Sequence, residues 1–164
     1  MSDRSMTVTL TELELDIAAH IGIRRRIESV AHRRIDDATK RTPWETDIVG
    51  AIGELVVAKF LNIYPDLRLG TFKLPDIGQL QVRATSYAEG CLIVHTYDPP
   101  DDLYALVVGV KGQPMSFRVA GCLRGYEAIQ PQWFTSKTTG REPQYFVPQA
   151  ALRPFPTRAE FEAL

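Results

Sequence analysis

The chain has 164 residues, 45% of them hydrophobic and 24% charged, which is material for one domain with a sizeable core and too little for two ordinary domains. Nineteen basic and twenty acidic residues leave a net charge of -1, so no long-range field draws the whole molecule to nucleic acid and any such contact has to be local. Cys91 and Cys122 are the only cysteines and lack CxxC spacing, which excludes a disulfide framework and a cysteine-built zinc site.

The longest apolar runs, such as 105–108, fall far short of the ~20 residues of a membrane span. Met1-Ser2-Asp3-Arg4 carries no basic-then-apolar leader pattern, so the chain is expected to stay in the cytoplasm, away from membranes.

Residues 9–40 read as a helix opened by a Thr11/Glu14 capping box, with Leu13, Ile17, Ile21, Ile27, Val30 and Ile35 as its apolar positions and Gly22 as a candidate bend. Between 22 and 41 seven basic side chains, Arg24, Arg25, Arg26, Arg33, Arg34, Lys40 and Arg41, face three acidic ones, a local charge of +4. Such a run reads either as a solvated face or as a polyanion contact. The stretch 41–44, which contains Pro43, breaks the helix, and Thr46 or Asp47 is placed to cap the next one, which runs to about Leu61.

From 48 to 58 Glu54 is the only charged residue among eleven. A helix apolar on every face is buried, and a buried carboxylate needs a partner, because desolvation otherwise costs several kcal/mol. An arginine is the simplest such partner. Gly50 and Gly53 beside it predict close approach of another backbone.

After a connecting stretch with one short candidate strand at 69–74, the period changes to two. Segments 79–85, 92–97, 104–110 and 116–123 are rich in β-branched and aromatic residues and read as successive antiparallel strands joined by turns at 98–102 and 111–114. In the first, Leu80, Val82 and Ala84 face one way, and Gln81, Arg83 and Thr85 the other. Beyond Gly125 the chain is punctuated by proline, anchored by Trp133, Tyr145, Phe146 and Phe155, and closed by a short Thr157-capped helix. The fold class expected is α/β or α+β: a mostly antiparallel mixed sheet of four or five strands flanked by helices, in a single domain 1–164 with an N-terminal helical arm (1–45), a core (46–123) and a C-terminal extension (124–164).

Glu54 in a helix, then Pro75-Asp76, then Gln81-Val82-Arg83 on a strand resembles the PD-(D/E)xK nuclease superfamily over residues 46–110. Gln81 stands where the family usually has Glu, and Arg83 where it usually has Lys. The resemblance implies a metal-dependent phosphodiesterase acting on DNA. Glu54, Asp76, the Gln81 side chain and the Val82 carbonyl would hold Mg²⁺ or Mn²⁺, and Arg83 would brace a phosphate, since a guanidinium cannot act as a base. Asp76, Gln81 and Arg83 are thus the expected catalytic residues, and with Glu54 they are expected to meet in one pocket at the sheet surface.

The whole chain, including 121–125, 145–149 and 152–154, also resembles a group of small proteins encoded by tailed bacteriophages. Its alternative reading is a catalytically inactive, nuclease-like phage protein that binds nucleic acid or a phage or host protein as an accessory, assembly or anti-defence factor. A structural virion protein is third. His20, His32 and His95 lack zinc-ligand spacing, and no GxSxG or phosphate-binding glycine loop is present. Asp101 and Asp102 read as turn caps, and Trp44 and Trp133 as core or interface anchors.

Overall fold

A computed structural model describes residues 7–32, 42–65, 79–135 and 143–164. Strand β1 (Thr7–Thr9) leads into helix α1 (Glu12–Ala31), whose first turn is closed by the reciprocal Thr11 and Glu14 bonds. Gly22, the candidate bend, lies within the uninterrupted run of α1. It lets α2 (Pro43–Leu61) lie against it: a Cβ on Gly22 would stand 2.5 Å from Ile48 Cα. Thr42, rather than Thr46 or Asp47, caps α2, with Pro43 in its first turn and Glu45 completing a second capping box. Proline at the first helical position gives up no helical hydrogen bond, so the break at 41–44 and the start of α2 are one feature.

Strands β2 (Leu80–Thr85), β4 (Leu103–Val110) and β5 (Gln113–Arg124) join β1 in a mixed sheet of order β1-β5-β4-β2. β4 and β5 form an antiparallel hairpin and β1 adds antiparallel to β5. β2, however, runs parallel to β4, Leu80 opposite Leu103 and Thr85 opposite Val108, which corrects the expected antiparallel succession. A parallel pair needs a crossover of a dozen or more residues, and residues 86–102 provide it. That crossover carries β3 (Leu92–His95), which leaves the main sheet and pairs antiparallel with β7 (Gln144–Val147); β7 in turn pairs with β6 (Phe134–Thr135) in a second, three-stranded sheet. Among the described residues the remaining α-helices are the single turn α3 (Gly125–Ala128) and the Thr157-capped α4 (Arg158–Glu162). The fold is α+β.

The two faces of the main sheet carry separate cores. Leu80, Val82, Ala105, Val107, Phe117 and Val119 pack under α2 residues Ala51, Leu55, Val56 and Ala58, with Phe155 edge-on to Phe60 at one end. On the other face Tyr104, Leu106, Val108 and Leu123 pack against Leu92, Val94 and Val147 of the small sheet, and Trp133 covers that core's edge. β4 is buried from Leu103 to Val108 because both its faces are covered. Within the stretch 1–45, β1 belongs to the sheet and α1 packs on α2. The candidate strand at 69–74 lies outside the described residues.

Candidate functional site

The apolar surroundings of Glu54 demand a partner, and α1 supplies one. Arg25 donates from both terminal nitrogens to the two Glu54 oxygens, the Nη2 to Oε2 bond being 2.7 Å, in a fork that leaves the carboxylate nearly buried. The next residue of α1, buried Arg26, donates Nε to Asp47 Oδ2 at 2.8 Å, about two turns before Glu54 on α2. Two members of the arginine run are therefore spent inside the helical hairpin, and Arg24 points to solvent. Residues 33–41, with Arg33, Arg34, Lys40 and Arg41, lie outside the described residues.

β2 places its polar strip on the opposite face. Gln81 Nε2 donates to Asp102 Oδ2 at 3.1 Å. Arg83 donates Nη2 to Asp98 Oδ2 at 2.9 Å and Nε to the Ile93 carbonyl at 3.3 Å, with its guanidinium 5.3 Å above the Tyr104 ring. Asp98 Oδ2 also accepts the His95 backbone N–H at 2.8 Å and lies 3.3 Å from His95 Nδ1, while the imidazole stacks on Tyr97. Burial alone would push the Asp98 carboxyl up, but the His95 hydrogen bond and the Arg83 charge outweigh it and hold it down at about 2. The cluster fastens the turn after β3 to β2, and Tyr104 adds a bond from its hydroxyl to the Pro99 carbonyl at 2.9 Å.

Asp98 was legible in the sequence only as part of a turn, and His95 only as a histidine without zinc-ligand spacing. The spacing His95-x-x-Asp98 is the local signal, since it lets the carboxylate reach back to the His95 backbone. The Asp102 side chain, expected as a cap, accepts from Gln81, and its carbonyl accepts the Gly125 N–H.

Glu54, Gln81 and Arg83 therefore do not share one pocket, contrary to expectation. The reason is the alternation of β2: Gly53 rests on Ala84 and Val82, so α2 and Glu54 lie on the even-numbered face, and Gln81 and Arg83 project from the odd-numbered one. The Val82 side chain belongs to the core beneath α2. Asp76, with Pro75, lies outside the described residues. Among the described residues no group of three or more His, Cys, Asp or Glu side chains is arranged to hold a metal, and the Glu54 oxygens that would serve magnesium accept from Arg25 instead. Of the expected ligands, Glu54 is paired with Arg25, and Gln81 lies on the opposite face with Asp102.

No family model, curated protein or solved structure matches the chain. No helix among the described residues is long and apolar enough to cross a membrane.

The Asp98 cluster has a measurable signature. A carboxylate whose pKa falls on folding contributes stability that is complete above the ordinary range near 4 and is lost as pH drops toward its folded value, here about 2. Between pH 4 and 2 the natural chain is expected to lose about 2 kcal/mol more than Asp98→Asn does. Urea unfolding of both proteins across that interval measures the difference, and parallel curves would refute the assignment.

Proposed function

We propose that this protein acts by binding a macromolecular partner and not by cutting nucleic acid: a nuclease-like sequence without hydrolytic function, working as an accessory, assembly or anti-defence factor of a tailed bacteriophage. The observation that carries the reading is the Arg25 fork on Glu54. It neutralises the one carboxylate of the helix that metal chemistry would require, and it does so from inside the fold. Gln81 and Arg83 are likewise engaged, by Asp102 and Asp98, on the other side of the sheet. Arg25 and Arg26, which a polyanion would need at the surface, serve internal carboxylates, so the basic run supports DNA binding less than its sequence suggests.

The test is direct. The purified chain, incubated with Mg²⁺ or Mn²⁺ and with circular and linear DNA, is expected to leave the DNA intact, and its melting temperature is expected to stay unmoved by Mn²⁺. Cleavage that Asp76→Asn abolishes without unfolding the protein would restore the phosphodiesterase reading.

A further inference from the structure

Helix α1 has two dissimilar sides. Ala18, Gly22, Arg26 and Ser29 are buried, and Gly22 and Arg26 meet α2, as does Arg25. The outer side bears Leu13, Ile17, Ile23, Ile27 and Val30, at 68%, 40%, 38%, 44% and 61% exposure. At 100° per residue these five occupy a stripe of about 140° along the full helix, wider than scattered surface aliphatics would give. Asp16, His20 and Arg24 lie within the same stripe and are also exposed.

The order of residues in the stripe is nearly palindromic about His20. Leu13 and Ile27 are each seven residues from it, Ile17 and Ile23 each three, and Asp16 and Arg24 each four. A surface with that property complements itself when turned over: two antiparallel helices meeting at His20 put Leu13 level with Ile27 and Asp16 level with Arg24, twice each. A two-fold interface has this isologous form, in which residue i meets j and j meets i. Parallel approach would set Asp16 against Asp16 and Arg24 against Arg24, so charge selects the antiparallel arrangement.

We infer that the outer face of α1 is the docking surface for a second copy of this chain, in an antiparallel helix pair whose two-fold axis passes beside His20. The inference is independent of the reading above, because a hydrolase and a binding protein would use the face equally. One helix of about 30 Å from each copy makes a small interface, so the dimer is expected to dissociate in the micromolar range.

Sedimentation velocity over about 1–100 μM is expected to show a concentration-dependent shift from monomer to dimer. Ile27→Glu should weaken association at least tenfold while leaving unchanged the thermal melt in dilute solution, where the monomer predominates. Asp16→Arg should weaken it too, and Asp16→Arg with Arg24→Asp should restore it, since the double exchange rebuilds both cross-helix pairs. His20→Cys, oxidised mildly, is expected to form a disulfide-linked dimer on the order of tenfold faster than a control with Tyr64→Cys, at a residue 94% exposed outside the helix. A chain that stays monomeric throughout the concentration range overturns the proposal. So does equal crosslinking of the two cysteine variants, or a dimer indifferent to Ile27→Glu and to the charge exchange, which would place the contact elsewhere.

Discussion

Glu54→Ala is expected to lower the free energy of unfolding by about 3–5 kcal/mol, the cost of leaving one member of a buried ion pair behind. Arg25 is largely enclosed between α1 and α2, so its guanidinium cannot recover full hydration without the helices separating. The double variant Arg25→Met, Glu54→Leu removes both charges and keeps the volume, and it should regain most of the loss or exceed the natural chain. Urea denaturation with a shared slope measures all three. A loss below about 1 kcal/mol in Glu54→Ala would mean that the pair behaves as a surface bridge, and that Glu54 is available to other ligands after all.

Gly53 and Gly50, three residues apart in one helix, are expected to respond oppositely to alanine. At Gly53 the new Cβ would stand 2.5 Å from Ala84 Cβ and 3.3 Å from Val82 Cγ1, so α2 must lift from β2 and loosen the core beneath it. The expected cost of Gly53→Ala is about 1–3 kcal/mol even after the gain in helix propensity, and Gly53→Leu should prevent folding. At Gly50 no described residue lies within 4 Å of the new methyl, and Gly50→Ala should stabilise by up to about 1 kcal/mol. Since the contact at Gly53 is with a side chain, adding Ala84→Gly to Gly53→Ala should return part of the loss. Thermal melts of the four variants decide it; equal effects at the two glycines would contradict the packing described. The sequence predicts close approach at both glycines; among the described residues Gly53 meets β2 and Gly50 meets nothing.

The sequence by itself determined the local structure. The Thr11/Glu14 box starts α1, the apolar stretch 48–58 is a buried helix ending at Leu61, Thr157 caps the last helix, and alternation in 80–85 sorts Leu80, Val82 and Ala84 from Gln81 and Arg83. These features depend on residues within a turn or two of one another, where propensity, capping and periodicity act directly. Only the tertiary structure decided which elements meet. A period of two says which residues share a face but not which strand lies alongside, so the parallel β2 and β4 pair and the departure of β3 to a second sheet were invisible. The same limit hid the partner of Glu54. Within its own helix Arg25 is one charge in a basic run, a pattern that usually means a wet surface. What makes it a buried counter-ion is the closeness of two backbones at Gly22, a contact between residues far apart in the chain whose worth depends on desolvation that no local window contains.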